Sequence, residues 1–143
     1  MEAKTKLVFL DANAIIYSLD KSGDLYKHVV SLIQRLLDEG VILCTSHHVI
    51  EEVLHVVQKI TRETVTLSQI VKEIGKIPDL VLIEPAANLD FAQRYAVLSE
   101  KSGLGVNDAL LLQLVIDAGI TKLFSYDQKL VKQAARFQVS QVA

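Results

Sequence analysis

The chain has 143 residues, 50% of them apolar and 22% charged, enough for one hydrophobic core and too hydrophobic for a disordered segment. A formal charge of −2 excludes a polybasic arm or an acidic tail as the principal activity. The one cysteine, Cys44, excludes an internal disulfide framework and a Cys-rich zinc ribbon, and fits a reducing cytosol.

The opening run Leu7-Val8-Phe9-Leu10 meets Asp11 after four apolar residues. That is too short for a secretion signal and reads as a buried parallel strand. Over residues 24–39, Leu25, Val29, Leu32, Ile33, Leu36 and Leu37 recur at helical spacing, and Gly40 closes the helix. Residues 41–44 read as a second buried strand. Ser46 then caps a helix carrying Val49, Ile50, Val53, Leu54 and Val57. A helix over residues 63–76 and a strand over 80–83 follow, the strand ended by Glu84-Pro85.

Two helices, over 89–101 and 106–118, flank Ser102-Gly103-Leu104-Gly105. Residues 122–125 form a fourth strand, 128–136 a helix, and 137–142 a short edge strand. The most apolar helix is interrupted by Asn107, Asp108 and Gln113, so no membrane span is expected and the protein reads as cytoplasmic. With no linker or repeat, residues 1–143 are expected to form one domain. Strands alternating with helices predict a three-layer α/β/α, Rossmann-like fold around a parallel sheet of four to five strands.

In such a sheet the ligand crevice lies beyond the carboxyl ends of the strands, where strand order reverses. Asp11 ends the first predicted strand, and Asp127 lies just past the fourth. Glu51 and Glu52 fall in the second turn of the helix after the second strand, and Asp108 in the first turn of the helix after the glycine-bounded loop. Each acid alone could be a helix cap or a dipole partner. Four of them aimed at one rim point instead to a hard divalent cation, Mg²⁺ or Mn²⁺, because clustered carboxylates repel unless neutralised. Two such ions ~4 Å apart can activate a water and stabilise the leaving oxygen of a phosphodiester.

With these motifs in order, the sequence resembles the PIN-domain ribonucleases, in particular the small VapC-type toxins of toxin–antitoxin pairs, over nearly its whole length. Val8-Phe9-Leu10-Asp11-Ala12-Asn13 matches the opening strand with its Asp-x-Asn. Ser46 followed six residues later by an acid selects Glu52 over Glu51. Asn107-Asp108-Ala109 matches the Asp-Ala that opens the buried helix, and Ser125-Tyr126-Asp127 matches the late Ser/Thr-x-Asp. The resemblance implies Asp11, Glu52, Asp108 and Asp127 as catalytic Mg²⁺ or Mn²⁺ ligands, with Asn13 and Ser125 holding the carboxylates in place. It further implies RNA as substrate, a VapB-type antitoxin as partner, and a homodimer.

Other groups carry weaker signals. Lys129, Lys132 and Arg136 are spaced i, i+3, i+7 on the helix after Asp127, either a phosphate-facing stripe or a solvated face. Lys59, Arg62, Lys72 and Lys76 make a second basic neighbourhood. His48, Glu52 and His55 share a helical face, but the Glu-x-x-His motif occurs once where a di-iron bundle needs two copies. Cys44 reads as a core residue. Gly103-Leu-Gly105 lacks the pattern of a phosphate loop. Two rival readings are an inert PIN-like module that binds RNA or a partner, and a phosphotransfer domain using Asp11 as nucleophile.

Overall fold

The computed structural model describes residues 6–60 and 66–142. β1 (Leu7–Leu10) is the apolar run expected, with Val8, Phe9 and Leu10 all buried. It leads into α1 (Ala12–Leu19), a helix that apolar spacing does not predict. The Asp11 carboxylate caps α1, so Asp11 is the one residue between strand and helix, and Ala12, Ala14 and Ile15 enter the core. Eight residues offer barely two turns of periodicity, which is why packing reveals this helix and pattern does not.

α2 (Tyr26–Asp38) buries Val29, Leu32 and Leu36, and Gly40 follows it at φ 80°, a left-handed position that only glycine takes without strain. β2 (Ile42–Thr45) leads to α3 (His47–Ile60), where Ser46 Oγ accepts the Val49 N–H at 3.3 Å as the expected cap. α4 (Leu67–Ile74) begins at a Thr66 cap; the expected start at Glu63 lies outside the described residues. β3 is shorter than expected, Val81–Leu82, because it is an edge strand paired on one side only, with both residues partly exposed.

α5 (Leu89–Ser102) is capped by Asn88, whose Oδ1 accepts the Phe91 N–H at 2.9 Å, and ends at Gly103 with φ 75°. α6 (Val106–Asp117) buries Ala109, Leu111, Leu112, Leu114 and Val115, residues spread around most of its circumference. That explains its apolar composition without a membrane. β4 (Lys122–Phe124), α7 (Gln128–Ala135) and β5 (Ser140–Gln141) complete the chain order. The expected final strand over 137–142 shrinks to this residue pair, since Gln138 at φ 59° turns the chain first.

The five strands form one all-parallel sheet in the order β3-β2-β1-β4-β5. With β1 at the centre, the chain first builds outward through β2 and β3 and then crosses back to add β4 and β5. The order therefore reverses between β1 and β4, where Phe9 pairs with Leu123 and Leu10 with Phe124. The core lies on both faces of this sheet, anchored by the fully buried Phe9, Phe124, Leu10, Leu43, Leu112 and Leu123. No described helix is long and apolar enough to cross a membrane.

Candidate active site at the carboxyl edge of the sheet

Asp11 occupies the switch point. Its backbone N–H donates to the Phe124 carbonyl at 3.0 Å, tying the end of β1 to the end of β4. Asp11 is only 5% exposed, and both carboxylate oxygens are engaged. Oδ1 accepts the Ala12 N–H at 2.8 Å, while Oδ2 accepts the Ser125 hydroxyl at 2.6 Å and the Asn13 amide at 3.4 Å. Burial raises the Asp11 pKa above the usual carboxylate range, and the neighbouring Asp127 adds to it. The Ser125 and Ala12 hydrogen bonds oppose the shift.

Ser125 and Asn13 lie beside each other, both reaching Asp11 Oδ2. The Ser125 hydroxyl, besides donating to Asp11, accepts the Asp127 N–H at 3.1 Å. The Asn13 Oδ1 accepts the Tyr126 N–H at 3.1 Å, and its Nδ2 faces Ser125 Oγ at 3.4 Å. Asp127 Oδ1 in turn accepts the Leu130 N–H at 3.1 Å and caps α7. The cap reading is realised for both Asp11 and Asp127. A carboxylate that starts a helix is held in one rotamer, and the helix N-terminus favours its negative charge.

α3 and α6 bring the remaining acids. Burial raises Glu52, and the charges of Asp11 and Asp127 raise it further. Asp108, in the first turn of α6, is pushed up to about 6, first by burial and then by Asp127, Asp11 and Glu52; a hydrogen-bonding contact with Asp127 favours its protonated form too. Four carboxyls from four places in the chain thus feel one another. Glu51 stands apart: its Oε1 lies 3.5 Å from His55 Nε2 on the exposed side of α3.

Among the described residues, no three His, Cys, Asp or Glu side chains are already gathered at metal-ligating distance. The donor set nevertheless suits a hard divalent cation. All four groups offer carboxylate oxygens, and a cation among them would offset both the burial and the like-charge neighbours that raise Asp11, Glu52 and Asp108. His48 and His55 share the helical face of Glu52, but His55 pairs with Glu51.

Other residues fall into plainer roles. Lys129, Lys132 and Arg136 are all exposed along α7. In the second basic neighbourhood Lys76 pairs with Glu73 at 2.7 Å, Lys59 and Lys72 are exposed, and Arg62 lies outside the described residues. Cys44 is fully buried, with burial pushing its thiol up to about 12, so it is an inert core residue.

Three contacts near the carboxyl edge were invisible in the sequence. Glu84, after β3, accepts the His47 N–H at 3.0 Å and meets His47 Nδ1 at 2.6 Å, which anchors the start of α3. Tyr126 packs edge-on against Tyr17 and Phe124, with ring centroids 5.5 and 5.7 Å apart. Gln141 Nε2 donates to the Ser125 carbonyl at 2.8 Å. Apart from the local Phe124–Tyr126 contact, these join residues far apart in the chain, and no local pattern announces them.

An all-parallel five-stranded sheet with acids converging at its switch point defines the class: an acid-centred α/β domain. The chain belongs to the PIN domain family, which it matches over residues 8–136. Solved structures share the fold at low sequence identity. The VapBC2 complex from Rickettsia felis bound to a DNA fragment from its promoter aligns with TM-score 0.64 and 20% identity, over 95% of this chain and 97% of that one. VapC20 of Mycobacterium tuberculosis, a Sarcin-Ricin loop cleaving toxin, aligns with TM-score 0.64 and 15% identity, over 86% and 92%. VapBC-1 from nontypeable Haemophilus influenzae aligns with TM-score 0.64 and 16% identity, over 95% and 96%. Comparison with curated protein sequences finds no match.

Proposed function

We propose that residues 1–143 form one PIN domain acting as a metal-dependent endoribonuclease, the toxin of a VapBC-type pair. The observation that carries this reading is the PIN family match over residues 8–136 together with Asp11 held at the switch point by Ser125, Asn13 and the Ala12 N–H, with Asp127 bonded to the same Ser125 hydroxyl. In this reading Asp11, Glu52, Asp108 and Asp127 hold Mg²⁺ or Mn²⁺, and Asn13 and Ser125 fix the Asp11 carboxylate. When bound, the cation would polarise a phosphodiester and lower the pKa of water enough to supply hydroxide as the nucleophile.

The chain's own residues do the rest. Ser125 and Asn13 keep Asp11 in one rotamer, so little reorganisation is needed when substrate arrives. Lys129, Lys132 and Arg136, exposed on the helix that Asp127 caps, offer an electrostatic landing strip for RNA phosphates on a protein of slightly negative net charge. The likeness to VapBC complexes supports a VapB-type antitoxin as partner; a homodimeric toxin acting in the cytoplasm completes the proposal.

The test is cleavage of a mixed RNA pool by wild type and Asp11→Asn, each with Mg²⁺, Mn²⁺ or EDTA. Cleavage by wild type alone, abolished in EDTA, is the expected result. Equal cleavage by both proteins, or cleavage that survives EDTA, would remove the metal site from the reaction. RNA binding without cleavage under every condition would favour the inert binding module.

A further inference from the structure

We infer that Gln141 is a positioning residue of this acidic site, clamping the Ser125–Tyr126 peptide against Asn13; the inference rests on the metal-nuclease reading above. A peptide unit is rigid and planar, so its carbonyl and N–H turn together. The Ser125 carbonyl accepts the Gln141 amide at 2.8 Å, and the Tyr126 N–H of the same unit donates to Asn13 Oδ1 at 3.1 Å. Rotating this plane breaks both bonds at once. Its orientation matters because Ser125 is fully buried and its hydroxyl links the two acids, donating to Asp11 and accepting the Asp127 N–H.

Gln141 can do this because β5 holds it. Leu123 pairs with Gln141 in the sheet, and the Val142 N–H donates to the Leu123 carbonyl at 2.9 Å. The last strand thus sets the amide against the turn that leaves β4, although its own residues are exposed. An edge strand of two residues adds little core; its contribution here is the hydrogen bond it delivers. Asn13 clamps from α1 and Gln141 from β5, so the site is braced from both ends of the chain.

The experiment compares Mn²⁺ affinity in the full chain for wild type, Gln141→Met and Gln141→His, by the electron paramagnetic resonance signal of free Mn²⁺ at pH 8. Met keeps the length of Gln without a donor, whereas neutral His keeps a donor at similar reach. The expected result is about tenfold weaker Mn²⁺ binding in Gln141→Met, in the range of outer-shell substitutions, with recovery in Gln141→His. On RNA, kcat should fall with KM unchanged in Gln141→Met, while its thermal midpoint stays at the wild-type value.

Wild-type affinity in Gln141→Met would overturn the assignment, as would equal weakening in both variants, because then the donor is not what matters. Loss of cooperative melting in both would make Gln141 a structural edge residue. Failure of the wild type itself to bind Mn²⁺ would instead sink the metal-nuclease reading, and this inference with it.

Discussion

Asp108 shows what an unneutralised acid costs. Its pKa is pushed up to about 6 from an ordinary 3.8, by burial first and by three neighbouring carboxylates next. A carboxyl whose folded-state pKa is raised prefers its proton in the folded protein. Its contribution is therefore complete below about pH 3.8 and lost as pH rises through about 6. At pH 7 the ionised group works against folding, and the helix-dipole benefit of about 0.3–1 kcal/mol at the start of α6 opposes this only in part. Metal-free Asp108→Asn should accordingly melt about 3 °C or more above wild type at pH 7, a shift equivalent to ~1 kcal/mol. The gap should close toward pH 4. A variant that melts lower at pH 7 would show that Asp108 is a stabilising cap rather than a strained site acid.

At the scale of the element, α3 discriminates between two adjacent glutamates. A helix advances 100° per residue, so Glu51 and Glu52 leave α3 in different directions. Glu51 lies by His55 on the solvent side, whereas Glu52 feels Asp11 and Asp127. Glu52→Gln should lower RNA cleavage by at least about 100-fold, the scale on which removal of a catalytic group acts. Glu51→Gln should leave it within about twofold, since an exposed His–Glu pair contributes little. Comparable losses in both variants would show that the register on α3 is wrong. The same logic explains why α1 escaped notice: its register is set by the Asp11 cap and by burial of Ala12, Ala14 and Ile15, not by a long amphipathic stripe.

For the whole molecule, the strand order β3-β2-β1-β4-β5 creates the site. Asp11 after β1, Asp127 after β4, Glu52 on α3 and Asp108 on α6 come near enough to influence one another because the strand order reverses beside β1. A cation held among them would tie four segments together in the folded state alone. Such a ligand stabilises by mass action, about 2.7 kcal/mol at a hundred times its dissociation constant. Saturating Mn²⁺ should therefore raise the thermal midpoint of wild type, and Asp11→Asn should lose that response. An identical response in the two proteins would place the bound ion elsewhere.

Much of this was legible before any coordinates. Alternating apolar strands and amphipathic helices determined the fold class, because the two periodicities are local consequences of backbone geometry. The same local order put Asp11 and Asp127 at strand ends and Glu52 and Asp108 in early helix turns, and the family resemblance added Asn13 and Ser125. Only the tertiary structure decided that the acids repel one another, that Ser125 bridges Asp11 and the Asp127 backbone, and that Glu84 and Gln141 brace the site from β3 and β5. Local sequence encodes which face of an element is apolar. It holds no record of which side chains, dozens of residues apart, the closed sheet brings within hydrogen-bonding reach.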